Sequence, residues 1–236
     1  MYFNQNEYQI RFEWGLSGVE ALTPESDVVI IVDVLSFTTC VDIVVERGGL
    51  VLPYNGPRED VAAFAQEREA LYANPARQHE KGFSLAPSSL LTIPAGTRLV
   101  LPSPNGSTLS LATDDVTTMA GCLRNAKAVA TKANVLGQRI SVIAAGERWK
   151  GGLLRPAIED LMGAGAIISY LEGTRSPEAE IAVAGFERVA SDVQDTLRRC
   201  GSGKELIGRG FAEDVQLAGQ VNVSEATPLL GEGVYG

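Results

Sequence analysis

Apolar side chains recur at every second position through Tyr8, Ile10, Phe12 and Trp14, the period of a strand with one buried face and a candidate sheet edge. From Val28 to Leu35 the chain is almost continuously apolar and β-branched, broken only by Asp33, which predicts an interior strand covered on both faces. The pattern turns helical from Phe37 to Glu46, stops at Gly48-Gly49, and resumes as a short strand from Leu50 to Pro53. That sequence of elements is a βαβ unit. An amphipathic helix is predicted from Asp60 to Tyr72, presenting Val61, Phe64, Ala65 and Leu71. Residues 73–96, with Pro75, Pro87 and Pro94, read as an irregular excursion within one domain.

Further strands are predicted over 97–101, 116–120 and 140–145, with a short helix ending near Ala112 and an alanine-rich helix from Leu123 to Leu136 closed by Gly137. Arg148 to Gly152 reads as a loop. Pro156 suits the first turn of a helix running to Leu171. Two more helices and a glycine-rich tail from Thr227 complete the chain. Alternating strands and helices imply a single α/β domain over residues 1–236 with a mixed, largely parallel sheet, to which the N-terminal stretch and the tail could add antiparallel strands.

Composition narrows the function. With 236 residues and 45% apolar side chains, the chain is long enough to bury a sizeable core, and no apolar run approaches the ~20 residues of a membrane span. Met1 to Glu7 has neither the basic start nor the apolar stretch of a secretory signal, so a cytoplasmic protein with no membrane partner is expected. Net charge is −9, from 29 acidic and 20 basic residues. No basic cluster offsets it, which disfavours nucleic acid as a partner. Cys40, Cys122 and Cys200 form no CxxC pair, and the sole histidine, His79, lies in a polar stretch and is expected in a solvated loop. A Ser/His/Asp triad or a multi-histidine metal site has little material to draw on.

In open α/β sheets ligands gather beyond the carboxyl ends of strands, near helix N-termini. Four segments occupy such junctions. Asp33 ends an apolar strand, with Ser36, Thr38 and Thr39 offering hydroxyls just beyond it; a buried acid there must be paired, hydrogen-bonded or bound to a metal. Ser103-Pro104-Asn105-Gly106-Ser107 joins a strand to a helix and could form an anion nest, although Asn-Gly is equally a common turn. Gly121-Cys122-Leu123-Arg124-Asn125 adds a guanidinium suited to phosphate or sulfonate, or to a surface salt bridge. Ala145-Gly146-Glu147, followed by Glu159-Asp160, could bring further carboxylates to the same rim; such hard oxygen donors suit magnesium, and Glu159 could instead simply favour its helix N-terminus.

Read in order, these segments, with Glu159-Asp160-Leu161-Met162-Gly163-Ala164-Gly165, resemble the 2-phosphosulfolactate phosphatase family over roughly residues 28 to 170. The resemblance implies a three-layer α/β/α sandwich and a magnesium-dependent (Mg2+) phosphatase that cleaves 2-phosphosulfolactate to sulfolactate and phosphate, a step of coenzyme M biosynthesis in methanogens. Carried onto this chain, Asp33, Glu147 and Asp160 become catalytic residues and metal ligands. Ser36, Thr38, Thr39, Asn105, Gly106, Ser107, Arg124 and Asn125 become contacts to a small anionic phosphate ester. The family's pattern has arginine where this chain has Ser36, and two threonines where it has Ser103-Pro104. Its Asn-Ser-Pro segment has no clean counterpart in Ser84-Leu85-Ala86-Pro87-Ser88. Asp33-Val34-Leu35 lacks a second aspartate two residues on, which favours metal ligation or water activation by Asp33 over nucleophilic attack and leaves both open. A phosphatase acting on another phosphorylated carboxylate and a non-catalytic binder of phosphorylated or sulfonated metabolites are the alternatives. A homo-oligomer is compatible with the sequence.

Overall fold

The computed structural model describes residues 2–74, 77 and 82–236, and His79 lies outside them. The first half of the chain comprises β1 (Ile10–Trp14), α1 (Gly15–Leu22), β2 (Val28–Val32), α2 (Phe37–Glu46), β3 (Leu50–Tyr54), α3 (Val61–Glu67), β4 (Leu71–Tyr72), β5 (Arg98–Pro102) and α4 (Gly106–Leu111). The second half comprises β6 (Thr117–Gly121), α5 (Ala126–Leu136), β7 (Ile140–Ala144), β8 (Glu147–Arg148), β9 (Leu154–Arg155), α6 (Ile158–Ile168), α7 (Pro177–Val189), α8 (Val193–Arg199), α9 (Gly201–Gly208), α10 (Ala212–Ala218), β10 (Leu229–Gly231) and β11 (Val234–Tyr235).

Every residue of β2 is fully buried, because the strand has a helical layer on each side. Val28, Ile30 and Val32 pack with Val129 and Ala133 of α5 and Ala164 and Ile167 of α6. Val29 and Ile31 pack with Val19 and Leu22 of α1 and Leu109 of α4. The same alternation divides the β3–β5 part of the sheet: Val51, Leu99 and Leu101 meet α2, whereas Leu52, Tyr54 and Val100 meet α3. The expected sandwich with a mixed, largely parallel sheet is therefore the observed one.

The sheet runs β1-β7-β2-β6-β10-β11-β3-β5-β4. Neighbours among β1, β7, β2 and β6 are parallel, as are β3, β5 and β4. The C-terminal hairpin joins these two groups, with β10 antiparallel to β6 and β11 antiparallel to β3. Tyr235 of that hairpin is fully buried, with its hydroxyl donating to Ser110 Oγ at 2.8 Å.

Several expectations change. β1 lies at the sheet edge, yet it pairs in parallel with β7, so in this nine-stranded sheet the antiparallel strands come from the tail alone among the described residues. The predicted 60–72 helix ends at Glu67, and Leu71–Tyr72 becomes an edge strand. Four helices, not two, follow Pro177, and the expected 148–152 loop is the tip of the β8–β9 hairpin. Among the described residues no helix is long and apolar enough to cross a membrane.

Candidate active site

The strand predicted to reach Leu35 stops at Val32 because Asp33 is engaged across the turn. Asp33 Oδ1 accepts from the Phe37 N–H at 3.2 Å, and Oδ2 accepts from the Gly106 N–H at 2.8 Å. One carboxylate thereby ties the start of α2 to the start of α4. Thr38 Oγ1 closes the turn, donating to the Asp33 carbonyl at 2.9 Å and accepting from the Asp33 N–H at 3.0 Å. Ser103 Oγ accepts from the N–H groups of Asn105 and Gly106. The N–H groups of the Asn-Gly turn are thus spent on Asp33 and Ser103, and the anion nest expected there is filled by the protein's own oxygens.

Glu147 and Asp160 add two further carboxylates near Asp33. Asn105 Nδ2 donates to Glu147 Oε2 at 3.0 Å. Asp160 Oδ1 accepts from the Val34 N–H and Oδ2 from the Gly146 N–H, each at 2.8 Å, so it clamps the two loops that follow β2 and β7. Burial, opposed by the Phe37 and Gly106 N–H groups, raises the Asp33 carboxyl to about 6. Burial, reinforced by the charges of Asp33 and Glu159, pushes Glu147 up to about 7. The same causes hold Asp160 well above the carboxylate range.

A carboxyl group with a higher pKa in the folded chain than in the unfolded one makes folding take up protons, so stability falls as pH rises between the two values. For Glu147 that window runs from its ordinary 4.5 to about 7. In metal-chelated buffer the thermal midpoint is expected to fall across this window. Glu147→Gln keeps an acceptor for Asn105 and removes the charge, and is expected to lessen the decline by about 1–3 kcal/mol. Scanning calorimetry at several pH values measures this, and an unaltered pH slope in the variant refutes it.

Asp33, Ser36, Asn105 and Glu147 face a cleft of about 510 Å³, together with Arg58, Arg77 and Arg209. This cleft lies beyond the carboxyl ends of β2, β3, β5 and β7, where an open α/β sheet places its ligands. Other expected contacts do not face it. Thr38 and Thr39 are fully buried, and the Thr39 hydroxyl donates to the Val34 carbonyl at 2.8 Å. Ser107 is likewise buried, bonded to the Leu101 carbonyl. Gly106 contributes through its N–H to Asp33. Asn125 holds its own turn by accepting from the Cys122 N–H at 2.9 Å. The expected anion-binding role of Arg124 is corrected as well: Nε pairs with Asp42 at 2.7 Å, and the remaining nitrogens reach Glu46 and Gln220. Two carboxylates of α2, the buried Asp42 and the exposed Glu46, claim its charge before any substrate could. Arg77, which sequence periodicity did not single out, is the cation beside Ser36 instead, with Nη2 donating to Ser36 Oγ at 2.7 Å.

Among the described residues no group of three or more His, Cys, Asp or Glu side chains is arranged to hold a metal ion. The expected ligand set Asp33, Glu147 and Asp160 therefore does not form a three-carboxylate cage. The physical reason is that of the three only Asp33 and Glu147 face the cleft, while Asp160 is buried away from it. The donor chemistry still fits a hard cation. Glu159 Oε2 is buried without a hydrogen-bond partner among the described residues, and magnesium commonly takes one or two carboxylates together with waters and substrate oxygens.

Carboxylates and guanidinium groups thus meet in a cleft beyond the strand carboxyl ends of an α/β protein, the place where such folds hold their ligands. Residues 19–233 match the family model described as 2-phosphosulpholactate phosphatase. The chain belongs to that family. It is 34% identical over 140 residues to the 2-phosphosulfolactate phosphatase of Methanothermobacter thermautotrophicus, covering 58% of each chain. Over 136 residues it is 34% identical to a probable 2-phosphosulfolactate phosphatase of Carboxydothermus hydrogenoformans, covering 56% of this chain and 55% of that one. A probable 2-phosphosulfolactate phosphatase of Gloeobacter violaceus is 26% identical over 218 residues, covering 88% of this chain and 90% of that one. The first two matches thus span little more than half of those relatives' lengths.

Proposed function

We propose that this chain is a magnesium-dependent phosphatase that hydrolyses 2-phosphosulfolactate, or a closely similar small phosphorylated carboxylate, to the alcohol and inorganic phosphate. The observation that carries the reading is Asp33, a buried carboxylate fixed at both oxygens on the floor of a cleft rimmed by arginines, in a chain of this family. Asp33 and Glu147 would hold the magnesium ion, which when bound supplies charge neutralisation for the phosphoryl oxygens.

Phosphoryl transfer leaves the protein chiefly positioning and electrostatic work. Asp33 cannot rotate without giving up the N–H groups of Phe37 or Gly106, so it is a fixed acceptor toward which an attacking water points a hydrogen. Asn105 holds Glu147 in the same way. The arginines oppose the negative charge that these carboxylates and the net charge of −9 would otherwise turn against an anionic substrate. As water attacks phosphorus it passes a proton to the Asp33 carboxylate, which later returns it to solvent, while the ester P–O bond breaks and the departing alkoxide takes a proton from solvent in the open cleft.

Phosphate release from a panel of small phosphate esters, with magnesium and with a chelator, tests this reading. The greatest metal-dependent release is expected with 2-phosphosulfolactate. Absence of metal-dependent release from every ester sinks it, and ligand binding without turnover would mark a non-catalytic binder.

A further inference from the structure

Arg77 lies between β4 and β5, in a stretch without helical or strand period. Its side chain is 8% exposed and it lines the cleft with Asp33 and Ser36. Nη1 donates to Asp214 Oδ2 at 2.9 Å and Nη2 to Ser36 Oγ at 2.7 Å. Asp214, on α10, is fully buried and also accepts from Ser88 N–H at 2.9 Å and Ser88 Oγ at 2.7 Å through its other oxygen. The guanidinium is therefore anchored at one end by a carboxylate that is itself immobilised, and at the other by the turn that follows Asp33.

A buried charge of this kind is costly unless its donors are used. A guanidinium has more N–H donors than two such contacts consume, and those remaining belong to a group on the cleft wall. The other arginines of the cleft differ. Arg58 and Arg209 are exposed, and Arg209 pairs with Glu205 on α9 at 3.2 Å. Water screens their charge, whereas that of Arg77 acts at low local dielectric. The charge of Arg77 also opposes the rise in the Asp33 pKa, so its field reaches the floor of the site.

We propose that Arg77 is the residue that grips the phosphoryl oxygens of the substrate, with Ser36 and Asp214 as the positioning residues that aim its guanidinium. The small side chain at Ser36 is part of this arrangement, since Nη2 sits 2.7 Å from its oxygen and a longer side chain would compete for that space. Identification of the anion as a phosphoryl group rests on the phosphatase reading; the anion-binding role of Arg77 rests on its own geometry.

Inorganic phosphate is the probe, with affinity measured by calorimetry on the full chain and independently of turnover. Arg77→Met is expected to weaken phosphate binding about tenfold or more, the loss of one or two charge-assisted hydrogen bonds. It also strands Asp214 as an unpaired buried carboxylate, so its thermal midpoint is expected to drop. Arg77→Met combined with Asp214→Asn removes both charges and is expected to recover the midpoint without recovering phosphate binding. Recovery of both together would show a purely structural role and overturn the proposal, as would unchanged affinity in Arg77→Met or no phosphate binding by the wild type. Wild type that binds phosphate through Arg77 yet releases none from any ester supports this inference and sinks the phosphatase reading. Ester turnover with the same kcat/KM in wild type and Arg77→Met does the reverse.

Discussion

Asp33→Asn is expected to lower kcat/KM for phosphate-ester hydrolysis by about three orders of magnitude, the scale on which an essential charged group acts in a phosphoryl-transfer site. The chain should remain folded. An asparagine fills the same volume, and its single oxygen can accept from either Gly106 or Phe37, but its NH2 group must then face the other backbone N–H. That donor–donor clash costs about 1–3 kcal/mol. Against it stands the relief of removing a charge that burial raises to about 6. That relief grows as pH rises from the ordinary 3.8 to about 6 and is constant above it, so the stability penalty of the variant is expected to be larger below about pH 4 than above pH 6. Single-turnover kinetics with circular dichroism across pH separate the two effects. Substantial metal-dependent activity in folded Asp33→Asn would remove Asp33 from the chemistry.

Gly106→Ala is expected to damage both stability and activity, because the two depend on the same contact. A Cβ at this position would lie 2.2 Å from Phe37 Cδ1 and 2.8 Å from Asp33 Oδ2. Neither neighbour has room to yield. Phe37 is fully buried and packs edge-on against Tyr235, with ring centroids 6.4 Å apart, and Asp33 is held at both oxygens. Overpacking of this kind costs about 3 kcal/mol. The displaced helix start would also lengthen the 2.8 Å bond from the Gly106 N–H to Asp33, so kcat/KM should fall even at temperatures where the variant is folded. Gly151→Ala, at the β8–β9 tip where an added Cβ meets nothing within 4 Å, is the control and should leave both near wild type. Chemical denaturation measures the first effect and ester hydrolysis the second. A Gly106→Ala chain as stable and active as the control would refute the tight packing.

Hydrophobic pattern located the sheet because burial on both faces of β2 leaves a continuous apolar run, but that run continues past Asp33 to Leu35 while the strand ends at Val32, because the end is set by the distant partners of Asp33. Pattern failed where a segment is held by distant partners. Leu71–Tyr72 continues the apolar period of α3, yet it pairs with Leu99 and Val100 of β5, and only that pairing makes it a strand. Helices α8 to α10 are each seven or eight residues long, too short for a periodic signal to separate them from turns.

The sequence by itself determined which positions enter the core and which strand-to-helix junctions carry carboxylates, amides and hydroxyls, since burial and turn chemistry act over a few residues. Tertiary structure decided which of those groups face the cleft. Arg124 and Arg77 are the same chemical group, but Arg124 folds against Asp42 of α2, 82 residues away, whereas Arg77 reaches Ser36, 41 residues away, and Asp214, 137 residues away. Asp160 and Asp33 are likewise the same group, and their backbone partners turn one into a clamp between loops and leave the other on the cleft floor. A charged side chain is committed by whichever buried partner the fold brings to it first, and no local period records a partner so far along the chain.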